Sequence, residues 1–202
     1  QLQGFRPGTA GLLIMPATIL IPFLSGPSGS LTDRIGPSFQ MRLGPLLFAG
    51  GAALLLLGGE GARYLWDLLP GMIVLGVGLV LIIPAITSSA IAVKEELVGT
   101  ASGINNAAAR ISGLFAVAVC GALLAGGYRF YYAAGLDQTS LSSAEVNALL
   151  GAAGRLTSAV VPETFSESET ETIRGLMQSS YAGAYRLAMG GNILAALAAA
   201  AA

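Results

Sequence analysis

The 202 residues contain no histidine. That removes His-ligated metal sites and nucleophiles activated by an imidazole base. Charge is scarce too. Only 10% of residues are Asp, Glu, Lys or Arg, against about 25% in a soluble domain. So few charges cannot cover a water-facing surface, so the apolar length has to face lipid or other helices. Net charge is −1, with no basic excess that would suit nucleic acid. The single cysteine, Cys120, lies in an apolar run and cannot form an internal disulfide. The chain opens on Gln1 and closes in an alanine run, so a piece of a longer protein is expected. No secretory leader is read at the start: the first apolar run is too long and has no basic lead.

What is abundant is hydrophobic residues, at 54%, and glycine, at 28 residues. Glycine lets membrane helices approach closely. The apolar residues fall in long runs. Pro7 to Thr32 carries no charge, and neither does Leu43 to Gly59. About 20 apolar residues suffice for a helix to cross a bilayer core of roughly 30 Å. Between these runs lies "GPSGSLTDRIGPSFQMRL", Gly26 to Leu43, polar and rich in turn formers. It reads as a tight loop joining two membrane helices.

The rest of the chain repeats this layout. The expected fold is an all-α polytopic membrane bundle with about five spans, over 7–25, 43–59, 68–93, 98–126 and 181–202. Residues 1–127 hold the first four spans, and Gln1 to Arg6 is a short polar lead. Residues 128–180 are expected to form a water-exposed, partly helical loop. That loop is rich in Ser, Thr and Glu, with a short helix over Glu145 to Leu156 capped at Ser142 or Ser143. It has too few large apolar residues for a core of its own. Tyr64 and Trp66, in "EGARYLWD", suit the membrane–water boundary. Pro16 and Pro22 would each free a carbonyl and bend the first helix, either as a packing kink or as a bend beside a pathway. Pro84 would kink the third. Thr87, Ser88 and Ser89 are expected to bond back to their own helix.

Arg110 is the sharpest polar signal. It lies ten residues past Thr100, about 15 Å along a helix axis, and arginine deep in a bilayer costs roughly 2.5–3.5 kcal/mol on insertion scales. Asn106 is four residues earlier and shares its face; Asn105 is adjacent. Ala108, Ser112, Ala116 and Cys120 form a small-residue stripe about 200° away around the helix. The polar face has two readings, a water-filled substrate path or a structural hydrogen-bond network with a snorkelling arginine. Asp33 and Arg34, on composition alone, are solvated loop charges. No expected span carries Asp or Glu. No nucleophile–base pair, metal-ligand cluster or phosphate-cradling loop is present, so no catalytic residues, no metal site and no enzyme activity are expected.

The segment "GSLTDRIG", Gly29 to Gly36, resembles the cytoplasmic loop motif of the major facilitator superfamily, written G-x-L-a-D-r-x-G-r-k. Gly29, Leu31, Asp33, Arg34 and Gly36 match. Pro37 and Ser38 replace the usual basic pair, and Arg42 is the next basic residue. "GTASGINNAAARISGLFAVAVCGALL", Gly99 to Leu124, is similar to the penultimate helix of the fourteen-span drug:proton antiporter-2 branch. The resemblance implies the C-terminal part of a secondary active transporter, its spans being the tenth to fourteenth, in the bacterial plasma membrane. It implies proton-coupled export of small drug-like molecules by alternating access, with no cofactor beyond the proton gradient. The implied partners are lipid, the substrate and further N-terminal helices of the same protein that hold most proton-coupling residues. Gly29, Leu31, Asp33, Arg34, Gly36 and Arg42 would form a cytoplasmic gating loop. Asn106 and Arg110 would lie near the cytoplasmic half of the contact between bundles. The competing class is a non-transporting membrane scaffold or assembly subunit.

Overall fold

A computed structural model describes residues 7–58, 63–139, 141–152 and 165–202, with side chains described from Met15 onward except Ala17. The described residues form helices: α1 (Pro7–Ile35), α2 (Pro37–Leu57), α3 (Leu69–Ala90), α4 (Val98–Leu136), α5 (Ser143–Ala152) and α6 (Glu167–Ala201). A π-helical turn, Tyr64–Leu68, leads into α3, and a 3-10 turn, Glu95–Leu97, leads into α4. Among the described residues there is no strand. Among the described residues four stretches are long and apolar enough to cross a membrane: Pro37–Leu57, Tyr64–Ala90, Glu95–Leu136 and Glu167–Ala201. The fold is therefore an all-α membrane-type bundle. The residues divide into two compact units, one extending to Leu114 and including Met189–Ala202, the other Phe115–Ala188.

In the first unit α2 and α3 run antiparallel along a seam of glycines. Gly44 and Gly51 are seven residues apart on α2, and Gly71 and Gly78 are seven apart on α3. A Cβ on Gly78 would lie 2.8 Å from the Gly44 carbonyl oxygen, and one on Gly51 would lie 2.7 Å from that of Gly71. A seven-residue step returns to nearly the same face of a helix, so the two glycine pairs bring backbone against backbone at two levels. Ala49, Ala52, Val80 and Ala85 fill the buried face. Gly50, next to Gly51, has open space where its side chain would be. Ser89 Oγ donates to Met41 Sδ at 3.7 Å, so the end of α3 lies beside the start of α2. The turn at Ile91–Lys94 is therefore at the same end of this unit as the α1–α2 junction.

In the second unit the last part of α4 packs on α5 and the first part of α6. Its core is Tyr128, Tyr132 and Leu136 from α4, Leu149 from α5, and Ile173, Met177 and Ala184 from α6. Tyr128 and Tyr132 stack with ring centroids 5.5 Å apart. Gly183 lies against the ring of Tyr131. Both α5 and α6 begin with a reciprocal capping box. The Ser142 hydroxyl and amide donate to the Glu145 carboxylate at 2.6 and 2.8 Å, and the Glu145 amide returns to Ser142 Oγ at 3.4 Å. Ser166 and Glu169 repeat the pattern at 2.6, 2.9 and 3.4 Å.

The helices extend beyond the segments read from the sequence. The polar bend at 26–43 is not a loop: α1 continues through it to Ile35, Gly36 alone breaks the helix, and α2 starts at Pro37. The Ser30 and Thr32 hydroxyls bond to their own helix at Pro27 O and Ser28 O, so these polar residues do not end it. The fourth helix continues past 126 to Leu136, and the sixth begins at Glu167, ahead of the expected span over 181–202. A core exists within 128–180 because α4 supplies its two tyrosines and Leu136. The expected first span is helical within α1 but is not among the four apolar stretches; most of its first half lies outside the described side chains. Gln1 to Arg6 and the Glu60–Ala62 part of the outer loop also lie outside the described residues.

Candidate functional site

The site with the most defined geometry is the junction of α1 and α2. Gly36 has φ +80°, a left-handed value that suits a residue without Cβ. Its amide still bonds to Thr32 O at 2.9 Å. Pro37 follows at the first helical position, where the missing N–H is no loss and the fixed φ favours a start. One glycine and one proline thus turn the chain from α1 into α2.

Beneath this corner lies a buried polar node. Ser28, Thr32 and Gln40 are 4%, 5% and 0% exposed. Ser28 Oγ donates to Val80 O of α3 at 2.8 Å. Gln40 Nε2 donates to Ser28 O at 2.8 Å and to Ser28 Oγ at 3.2 Å. Thr32 Oγ1 contacts Gln40 Oε1 and lies 3.0 Å from Ser28 O; its one proton serves one of the two at a time. Three helices therefore meet through three polar side chains and two backbone oxygens, those of Val80 and Ser28. Unpaired, each buried group would cost about 1–3 kcal/mol.

Asp33 and Arg34 are on the outside of the same turn, both exposed, as is Arg42 on α2. Gly29, Leu31 and Gly36 are half-buried. The structure thus gathers Gly29, Leu31, Asp33, Arg34 and Gly36 at one corner, with Arg42 within two turns of it. Among the described residues, no ion pair involves Asp33 or Arg34. The sequence reading missed Gln40, Ser28 and Thr32. The available signal was the four-residue spacing of Ser28 and Thr32 with a lone amide, Gln40, between two apolar runs.

Asn105, Asn106 and Arg110 are all on α4, and the corner residues are not joined to them by any hydrogen bond among the described residues. Asn106 and Arg110 are exposed and Asn105 is half-buried. Arg110 is twelve residues into α4, about 18 Å from its start. Around it Ile104, Ile111, Leu114, Phe115 and Val117 are exposed by 66–74%. A guanidinium in such apolar company needs water, a carboxylate or a carbonyl if lipid surrounds it. The hydroxyls of Thr87, Ser88 and Ser89 bond back to Ile83 O and Ala85 O of their own helix, and form no site. Among the described residues no three metal-ligating side chains come together.

Residues 1–117 match the Major Facilitator Superfamily. The chain is 31% identical over 126 residues to the multidrug resistance protein Stp of Mycobacterium tuberculosis, in strains CDC 1551 / Oshkosh and H37Rv alike. That alignment takes in 62% of this chain and 23% of the relative, so the chain spans about a quarter of the length of the curated relatives it matches. No solved structure matches. The family match takes in the glycine corner, the polar node beneath it and the α2–α3 seam, and on that basis the chain belongs to the Major Facilitator Superfamily as an integral membrane protein.

Proposed function

We propose that this chain is part of a secondary active transporter that exports small drug-like molecules by alternating access, driven by the proton gradient. The observation that carries the reading is the family match over the residues that build the Gly36 corner, together with a relative whose name is that of a multidrug resistance protein. The reading is of a carrier without bond-making chemistry, so it needs no catalytic group and no cofactor. It sits in a plasma membrane, in the bacterial case the inner membrane, with the Gly36 corner and Lys94 facing the cytoplasm. The unit from 128 to 180 faces outside. The branch is the fourteen-span drug:proton antiporter type, in which helices outside this sequence complete the bundle and supply most proton-coupling groups.

Within that scheme Asp33 and Arg34 latch the cytoplasmic ends of neighbouring helices in one conformation. Gly29, Leu31 and Gly36 shape the turn that presents them, and Arg42 adds positive charge beside it. Asn105, Asn106 and Arg110 face the other bundle or a watered path, which relieves the cost of a lipid-exposed guanidinium. The test is extrusion of a lipophilic cationic dye from vesicles that contain the intact protein. Extrusion that stops when the pH gradient is collapsed supports the reading. Extrusion indifferent to the gradient removes the coupling, and no extrusion of any substrate tried favours a scaffold.

A further inference from the structure

In an α-helix the carbonyl of residue i accepts from the amide of residue i+4. For Val80 that partner is residue 84, which is Pro84 and has no N–H. The proline ring also crowds the carbonyl four residues before it. Val80 O is therefore without its helical donor in the middle of α3, at a residue only 3% exposed. A carbonyl buried there without a donor is costly, and lipid supplies none. Among the described residues, the side chain that donates to it is Ser28, from α1, at 2.8 Å. Ser28 is held in turn by the Gln40 amide, and the Gln40 carbonyl is met by Thr32.

We propose that Pro84 and Ser28 form an interhelical latch: the proline exposes the Val80 carbonyl, the Ser28 hydroxyl takes the place of the missing amide, and Gln40 and Thr32 hold Ser28 in that position. The corner that carries Asp33 and Arg34 is thereby docked on α3 through one backbone oxygen. Pro84 serves as an acceptor-making residue for another helix, beyond bending its own. Ser28, Thr32 and Gln40 are positioning residues. They act by fixing where the Asp33–Arg34 turn sits. The latch is a statement about α1–α3 alone; its effect on transport rests on the function proposed above.

The proposal makes an unusual demand. Replacing proline by alanine inside a helix ordinarily strengthens the helix. Here Pro84→Ala restores an amide at 84, which draws the Val80 carbonyl back into its own helix and competes with Ser28. Protection should rise on α3 and fall on the corner. The experiment is hydrogen–deuterium exchange of the intact protein in lipid nanodiscs, read on peptides over 28–43 and 78–92. Ser28→Ala is expected to speed exchange over 28–43 about tenfold, the size of one buried hydrogen bond. Pro84→Ala is expected to speed it roughly three- to tenfold while slowing exchange over 78–92. The double variant is expected to match Ser28→Ala, since both changes break one contact. Unchanged or slower exchange over 28–43 in Pro84→Ala overturns the latch, as does a double variant equal to the product of the two single effects. If Ser28→Ala does not fold, Pro84→Ala alone decides. Exchange is read without transport, so loss of the transport reading leaves this test intact. Transport unchanged in a variant with a loosened corner keeps the latch and overturns its role for Asp33 and Arg34.

Discussion

α3 and α4 are both long and apolar, and their surroundings differ. Across an apolar stretch of 18 residues in Tyr64–Ala90, 28% of residues are buried; across one in Glu95–Leu136 none are. Both helices carry glycines. On α3, Gly71 and Gly78 meet the backbone of α2 so closely that a methyl group would collide. On α4 up to Gly126, Gly99, Gly103, Gly113, Gly121 and Gly126 have nothing within 4 Å of where a Cβ would be, whereas Gly127 beyond them lies against Ala184 of α6. Hydropathy thus says that a helix is greasy, while the spacing of its small residues against a partner's decides whether it is packed. The seven-residue steps of Gly44 and Gly51 fit those of Gly71 and Gly78, and antiparallel helices then close along the whole seam.

The largest expected effect that tests this contrast is steric. Gly78→Leu places a branched side chain where a Cβ alone would lie 2.6 Å from Phe48 N, and is expected to cost about 3 kcal/mol or to prevent folding. Gly113→Leu, on open space, is expected to change stability by less than about 0.5 kcal/mol. Thermal unfolding in detergent compares them, and equal losses would break the contrast between α3 and α4.

Next in size is the node. Gln40→Leu strands the Ser28 and Thr32 groups that Gln40 satisfies and is expected to cost about 2 kcal/mol; the exposed Arg42→Gln is expected to cost under about 0.5 kcal/mol. An Arg42 effect as large as that of Gln40 in the same unfolding assay would count against a buried node. Asp33→Asn is expected to slow transport roughly tenfold, about 1.4 kcal/mol in the barrier, while the unfolding midpoint stays put. An unaffected rate in vesicles would return Asp33 to the role of a solvated charge.

The smallest effect sharpens the other unit. The Ser142 hydroxyl and then its amide hold the Glu145 carboxyl below its usual range. A depressed carboxylate adds stability above its unfolded value, near 4.3, and that stability is lost as pH falls through the lower folded value. Helicity of α5 should therefore decline slightly only in that acid range, and Glu145→Gln should flatten the decline. An acid titration followed by circular dichroism, in which Glu145→Gln leaves the curve unchanged, would remove the cap from the account.

The legible parts of the sequence were those with a strong local cause. Charge-free runs placed α2 and α3, and the Asp33–Arg34–Gly36 spacing marked the corner. Gly36 as the sole break was harder to read, because Ser28, Ser30 and Thr32 look like loop residues until their hydroxyls are seen bonded within the helix. The Ser166–Glu169 capping box was readable in "SESE" and would have started α6 well before 181. Gln40 and Val80 were not readable: each meets Ser28 only because three helices come together, across 12 and 52 residues of sequence. For the same reason Gly51 and Gly50 cannot be told apart by composition, although one is packed and the other open.

The central claim is that the helices cross a membrane with the Gly36 corner and the Lys94 turn on its cytoplasmic side. The direct measurement is labelling by a membrane-impermeant maleimide of Asp33→Cys, Lys94→Cys and Trp66→Cys, each in a Cys120→Ser background, in right-side-out and inside-out vesicles. The account predicts that positions 33 and 94 react only in inside-out vesicles and position 66 only in right-side-out ones. Reaction of 33 and 94 from opposite faces, or of all three from both, would contradict it.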